Sequence, residues 1–422
     1  MLYNMMQFLI ETHDEYIKRL TGKLKTGEAA SLKISSMNLF AREDTPIYEF
    51  LEEMKRADSR AEGSGAFRVI FDKAQANRTA VMPDGHYTLR LGFWDLYLWR
   101  KKMKASRIRK KTQKDFASIL VDLPPRYREI KALPGFWRKF MSGHLFQFLA
   151  AMHIKVAVVQ DYDGVISTSI ANGELSSESR QNNLALTLPN DRLAAEFALE
   201  MIDPATEIGY RNYAVQEIVP KIRLVADFGN YGSPGEISKI HQLAESMINP
   251  SRESKYKDGR MQNIAPTNII LVSQYVPSGT LLKSLRLTAT PKGRGAEGGG
   301  FGARVVVPLQ PKRDYRRRGT GFRVLFANFT RHRGKHIITF DRPMPSHVKC
   351  LLARYDDGSV SMIFGSDNFD STADSFYRNT ELSLHVDRVF PGEDGYGMVV
   401  AMLGKLVETR EIPKAEMEKF LG

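Results

Sequence analysis

The chain has 422 residues, 42% of them hydrophobic and 26% charged, which is enough apolar material for two domains or for one large body in two halves. Its one cysteine, Cys350, excludes an internal disulfide and fits a reducing compartment, and no run approaches the roughly 20 apolar residues that span a bilayer. The net charge of +13 is concentrated: residues 91–140 hold fourteen Lys or Arg against four Asp or Glu, and residues 301–340 hold ten against one, so an anionic partner is expected, nucleic acid or acidic lipid.

The opening MLYNMMQFLIETHDEY has about nine largely apolar residues, with no positive charge before them and no small-residue cleavage site, and makes a poor signal peptide. A protein kept in the cytoplasm, soluble or peripheral to the membrane, is expected. SLKISSMNLFARED (31–44) predicts a buried strand entering a helix. Thr45 supplies the cap, Pro46 the first turn, and Ile47, Phe50, Leu51 and Met54 one apolar face. AFRVIFD (66–72) predicts a strand. LGFWDLYLWRKKMKASRIRKK (91–111) sets Phe93, Trp94, Tyr97 and Trp99 beside a dense basic run. HIKVAVVQDYDGVISTSIAN (153–172) predicts a strand, an Asp-Gly turn and a returning strand, and RQNNLALTL (180–188) a further strand.

The same order then recurs. TNIILVSQYVPSGT (267–280) predicts a strand leading to a helix with Leu281, Leu282 and Leu285 on one face. ARVVVPLQP (303–311) is the next strand, HVKCLLARYDDGSVSMIFGSDNF (347–369) the hairpin, and YRNTELSLHV (377–386) the strand after it. KGRGAEGGG (292–300) lacks the Gly-Lys-Ser/Thr ending of a P-loop and is given no phosphate role. Residues 229–260 link the halves. Both hairpins begin His-x-Lys, as His153 and Lys155 and as His347 and Lys349. Each reaches a glycine nine places after its lysine, Gly164 and Gly358, and Asn172 and Asn368 close the two segments. The histidines are 194 positions apart. Two similar α/β lobes are expected, about 1–230 with an aromatic and basic insertion at about 91–140, and 231–422. They would meet at the two His-x-Lys edges.

Residues two apart in a strand face one side. Two His-Lys pairs brought together would therefore form a four-residue cationic pocket suited to a phosphodiester. One imidazole can attack phosphorus to give a phosphohistidine while the other protonates the leaving oxygen. Lys155, Lys349, Asn172 and Asn368 would steady the charge developing on the non-bridging oxygens. This chemistry needs no metal or other cofactor, and the sequence offers no convincing metal-ligand cluster.

The segment 347–369 resembles the HxK…GSxN signature of the phospholipase D superfamily, and 153–172 a second copy of it. The resemblance implies two phospholipase D-like α/β/α lobes with the active site at their pseudo-twofold interface. It implies His153 and His347 as nucleophile and acid, with His153 the nucleophile, and it adds Ser366 and Glu381, since Asn379 and Glu381 are similar to the family's Asn-x-Glu strand. The first copy departs from the pattern. It lacks Gly-Ser before Asn172, and its later strand has Asn182 and Asn183 without a glutamate. The family's aspartate, five residues after the lysine, is replaced by Gln160 and Arg354. Asp161 and Asp356 are the nearest acids and stand as supporting candidates, or as hairpin-turn residues. A degraded, non-catalytic site is the other reading of these departures.

Superfamily members act on phospholipids or on nucleic acids. From the first strand to the His-x-Lys is 122 residues in lobe one and 79 in lobe two, and the excess coincides with 91–111. There Trp94 and Trp99 beside Arg100, Lys101 and Lys102 fit a membrane headgroup boundary, with a core helix ending in a solvated basic run as the structural alternative. PKRDYRRRGTGFR, with Arg316, Arg317 and Arg318, suits nucleic-acid phosphates as well as acidic headgroups. SQYVPSGTLLKSL followed by RVVVPLQPKRD is similar to cardiolipin-synthase-like members. The expected activity is phosphatidyl transfer or phospholipid hydrolysis at an anionic phospholipid membrane surface, with no obligatory protein partner. A nuclease acting on DNA or RNA is the alternative, and a non-catalytic anionic-surface binding protein a second.

Overall fold

Thr45 and Pro46 open a helix as their residue types dictate. The Thr45 side chain accepts the Tyr48 amide, and Ile47, Phe50, Leu51 and Met54 are buried along one face. The computed structural model describes residues 7–37, 39–71, 108–123, 152–176, 182–203, 206, 212–228, 238–249, 254–257, 260–273, 277, 279–290, 301–309, 336–369 and 379–422. The first half runs β1 (Leu9–Thr12), α1 (His13–Thr26), β2 (Ala29–Ser36), β3 (Leu39–Phe40), α2 (Pro46–Arg60), β4 (Phe67–Phe71), β5 (Leu120–Asp122), β6 (Val156–Asp161), β7 (Ile166–Ala171), β8 (Leu175–Ser176), β9 (Leu184–Pro189) and α3 (Arg192–Ile202). Thr12 and Glu15 form a capping box on α1, and Gly27, with φ of 72°, ends it in the left-handed region. Seven strands make one sheet in the order β1-β9-β7-β6-β2-β4-β5. In it β2, β4 and β5 are parallel and the remaining pairs antiparallel.

The second half runs β10 (Tyr213–Val219), β11 (Ile222–Asp227), α4 (Lys239–Ile248), β12 (Ser254–Lys257), β13 (Arg260–Asn263), β14 (Pro266–Val272), α5 (Gly279–Ala289), β15 (Arg304–Leu309), β16 (Ile337–Asp341), β17 (Cys350–Tyr355), β18 (Val360–Gly365), β19 (Glu381–Val389), α6 (Asp394–Glu408) and α7 (Lys414–Leu421). Its eight-stranded sheet has the order β10-β11-β19-β18-β17-β14-β15-β16. Read from β9 or β19 outward, the two sheets match strand for strand. Here too three strands (β14, β15, β16) are parallel and the hairpin strands antiparallel.

The division between the sheets differs from the one expected at residue 230. β11 pairs along its length with β19, from Ile222 opposite Val386 to Asp227 opposite Glu381, and β10 pairs with β11. Residues 213–227 thus belong to the second sheet, and the division falls between Ile202 and Tyr213. A lone hairpin carries no local mark of the sheet edge it will join, so its place is decided by the partner strand.

Among the described residues, three cores explain why the central strands are apolar on both faces. On the outside of the first sheet, α1 and α2 cover Leu32, Ile34, Ala157 and Val159. On the outside of the second, α4 and α5 cover Ile269, Leu271, Leu351 and Ile363. The inner faces pack on each other: Val156, Val158, Ile170 and Leu186 share one core with Cys350, Leu352, Met362, Phe364 and residues of α3 and α6. Burying each of these larger aliphatic side chains contributes about 1.5–3 kcal/mol. At the edge of this central core the lobes exchange backbone bonds. The His153 N–H donates to the Thr380 carbonyl at 2.9 Å, and the His347 N–H donates to the Asn182 carbonyl at 2.9 Å. Parallel bridges join Met152 to Thr380 and Asn182 to Ser346. The two histidines are therefore held by equivalent crossed contacts.

Candidate active site

The two hairpins are built alike. Gly164 and Gly358 donate to the carbonyls of Asp161 and Tyr355 with φ of 86° and 82°, the left-handed position of a three-residue hairpin loop. Asp163 and Asp357 each accept the amide two residues on. Asp161, the last residue of β6, and Asp356, the first of the second loop, stand at these turns: Asp161 pairs with Lys23, and Asp356 accepts the Ala265 amide at 3.2 Å. A six-residue strand spans about 20 Å, so both lie at the far end from the histidines and neither supports the site. His153 to Lys155 and His347 to Lys349 lie just before β6 and β17 rather than inside them. Each lysine ammonium donates to the carbonyl of its own histidine, at 3.0 Å in lobe one and 2.9 Å in lobe two.

Backbone register fixes which residues correspond. The Ala171 amide donates to the Lys155 carbonyl as the Gly365 amide does to that of Lys349, and the Asn172 amide donates to Leu184 as that of Ser366 does to Leu382. The counterpart of Asn172 is therefore Ser366, and that of Asn368 is Glu174. Pairing Asn172 with Asn368 was off by two residues, because the constant 194-residue offset of the histidines and turn glycines also holds here. By the same register Asn183 occupies in lobe one the place that Glu381 holds in lobe two. Gly365 answers a lack of space: a Cβ there would stand 2.3 Å from Ser383 Oγ and 2.4 Å from the Leu382 carbonyl oxygen. The buried Asn172 amide crosses the interface and donates to the Gly365 carbonyl.

The charged groups converge at this seam. Lys155 and Lys349 are each 1% exposed and His153 5% exposed, while His347 is half-buried. His153 Nδ1 lies 2.8 Å from Glu381 Oε1, and Ser366 Oγ donates to the other oxygen of Glu381. Lys155 Nζ is 3.1 Å from Glu174 Oε1, and Ser36 Oγ donates to Glu174 Oε2 at 3.0 Å. His241 Nε2 is 3.0 Å from Asp367 Oδ1, which also accepts the Phe369 amide. The Asn368 carbonyl accepts Ser273 Oγ at 2.6 Å. Three carboxylates thus stand among the lysines, and the pocket is not the purely cationic one expected.

Burial, with Lys155 and Lys349 adding to it, holds the His153 imidazole well below its ordinary 6.5. Burial, then Lys155, brings Lys349 down to about 7. Burial, then Asp367, pushes Glu381 up to about 8. Burial would raise Asp367 as well, but His241 and the Phe369 amide hold it below its ordinary value. Around neutrality His153 is accordingly an uncharged imidazole, with Nδ1 against a Glu381 carboxyl that burial keeps largely protonated. In the tautomer that carries its proton on Nδ1, Nε2 has a free lone pair.

The structure thus brings His153, Lys155, Lys349, Glu381 and Ser366 together, with Asn172 bridging the lobes and His347 and Asn368 on the same seam. Sequence reasoning missed Glu174, Asp367 and His241. The 194-residue offset pointed to Glu174, whereas nothing local marked His241, which lies in the segment read as a linker. Trp94, Trp99, Arg100, Lys101, Lys102, Arg316, Arg317 and Arg318 lie outside the described residues. Among the described residues no helix is long and apolar enough to cross a membrane, and no group of three or more His, Cys, Asp or Glu is placed to hold a metal ion.

No family model matches the chain, and no curated protein matches it. Among solved structures it superposes on phosphatidylserine synthase of Haemophilus influenzae Rd KW20 with a TM-score of 0.51 at 10% identity, over 99% of this chain and 92% of that one. It also matches polyphosphate kinase of Porphyromonas gingivalis (TM-score 0.43, 11% identity, 94% of this chain), of which it spans half the length. Yeast tyrosyl-DNA phosphodiesterase matches with a TM-score of 0.42 at 11% identity, over 91% of each chain.

Proposed function

We propose, on the premise that this chain has the two-lobed phospholipase D-like α/β fold, that it cleaves phosphodiesters through a covalent phosphohistidine on His153 and acts on glycerophospholipids. The observation that carries the chemistry is the buried Nδ1 contact between His153 and Glu381 at 2.8 Å. The Glu381 carboxyl on Nδ1 orients the ring, and in its ionised form it answers the positive charge that the imidazole gains as it attacks. Nε2 of His153 bonds to phosphorus and the bond from phosphorus to the leaving oxygen breaks. That oxygen takes a proton from His347, which is half-buried and has Asn183 rather than a carboxylate at the position matching Glu381. Lys155, Lys349 and the Asn172 region hold the non-bridging oxygens. Water or an alcohol then gives a proton to His347 and displaces His153 from phosphorus.

The lipid substrate is supported by the tryptophans and cations of 91–111 and by the two basic blocks. The phosphatidylserine synthase on which the chain superposes, at a TM-score of 0.51 and 10% identity, shares its fold. The basic run 311–323 favours a second reading, cleavage of DNA or RNA. The test is to incubate the protein with phosphatidylglycerol liposomes in EDTA and identify products by mass spectrometry, with His347→Ala as control. Cardiolipin or phosphatidic acid formed by the intact protein, and reduced about a thousandfold or more in the variant, is the expected result. No lipid product, with oligonucleotides cleaved under the same conditions, would replace lipid with nucleic acid.

A further inference from the structure

Glu174 has no place in the mechanism above, yet it is 4% exposed and holds a lysine of the site. Its counterpart in the other lobe, Asn368, ends in a neutral amide. The exchange of amide for carboxylate changes the charge of one half-site and leaves the other as it was. Resting on the phosphodiester reading of the site, we infer that Glu174 is a specificity-determining residue that matches the pocket to the single negative charge of a phosphodiester and turns away the doubly charged phosphomonoester.

The charges support this. Lys155 brings a positive charge and Lys349, held down to about 7, a partial one near neutrality, and Glu174 Oε1 sits 3.1 Å from the Lys155 ammonium, cancelling one unit of the total. Glu381 is engaged with His153 and Asp367 with His241, so each of those carboxylates faces an imidazole. Ser36 Oγ holds the second Glu174 oxygen at 3.0 Å, and the Leu175 amide donates to the same hydroxyl at 2.9 Å, so the carboxylate is fixed rather than free to swing aside. A phosphodiester brings one negative charge. A phosphomonoester or inorganic phosphate brings about −1.5 to −2 near neutral pH, and its additional charge meets the carboxylate at close range in a buried setting. A site that discriminates by a built-in repulsion gains selectivity without a new attractive contact. The practical result is that a phosphomonoester, including one formed by hydrolysis, does not block the pocket.

The experiment is calorimetric binding at pH 7.5 of inorganic phosphate and of dimethyl phosphate to the full chain and to Glu174→Gln. An electrostatic change scales with ligand charge, so the variant should gain about tenfold for inorganic phosphate and about threefold for the diester. Glu174→Asp, which keeps the charge, should retain the original preference. If Glu174→Gln does not fold, Glu174→Asn installs the amide that Asn368 already presents and takes its place. An unchanged ratio of the two affinities in a folded variant would overturn the role of Glu174 and leave the phosphodiester site standing. Binding of neither ligand to any of the proteins would overturn the site itself and the inference with it.

Discussion

Lys349 and Glu381 are displaced from their ordinary values in opposite directions, and the sign of each can be followed through folding. Lys349 falls from 10.5 to about 7, so between those values the unfolded chain binds more protons. Its contribution is fully present above about 10.5 and is lost as the pH falls to 7. Glu381 rises from 4.5 to about 8, so its contribution is fully present below 4.5 and is lost as the pH rises through 8. Together the two groups place a minimum of stability between pH 7 and 8. On the acid side His153, held well below 6.5, works against Glu381, because there the unfolded chain binds the proton that the buried imidazole refuses. Urea unfolding from about pH 7.5 to 10 should show the alkaline rise, and Lys349→Met should remove it. An alkaline rise that survives in Lys349→Met would show that another group causes it. The repeated His-Lys charge pattern was legible at this scale in His153, Lys155, His347 and Lys349. The titration itself was not, because it depends on exclusion of water and on neighbours such as Glu381, 228 positions from His153.

At the scale of elements, the hairpins and the strands packed on them were read correctly from apolar runs and Asp-Gly turns, since both signals are local. Gly365 shows how tightly β18 and β19 approach. Gly365→Ala would press a methyl group against the backbone of Leu382 and the side chain of Ser383, and overpacking of this kind costs about 1–3 kcal/mol. A drop of that size in urea unfolding is expected, with turnover reduced as well because Glu381 is the next residue of β19. Ala171, the counterpart in lobe one, already carries a methyl group, so the restriction belongs to the β18–β19 pair. Unchanged stability in Gly365→Ala would mean that β19 shifts without cost. The placement of β10 and β11 was not legible: a hairpin of this kind fits the edge of either sheet, and the pairing of β11 with β19 decides it.

Across the whole molecule, a buried network behind His347 joins the lobes. Arg342 and Glu411 pair at 2.8 Å with both side chains buried, and Arg342 also donates to the Ser273 carbonyl. Asn182 of the first lobe donates to Glu411 and to the Thr409 carbonyl, while its own carbonyl takes the His347 amide. Removing Glu411 would leave the Arg342 charge buried and unpaired, at a cost of about 3–5 kcal/mol. Glu411→Ala should therefore unfold at markedly lower urea and lose turnover through His347; full stability with normal turnover would remove the network from the account of the site. The sequence by itself determined the duplication, the two His-Lys pairs, the turn glycines and the layout in two α/β lobes, because repeats, periodicity and turn chemistry act over a few residues. The tertiary structure alone decided that 213–227 joins the second sheet, that Asn183 stands in lobe one where Glu381 stands in lobe two, and that three carboxylates stand among the site's lysines. These follow from strand register and from the closing of one lobe on the other, which bring residues far apart in the chain into a single water-excluded seam.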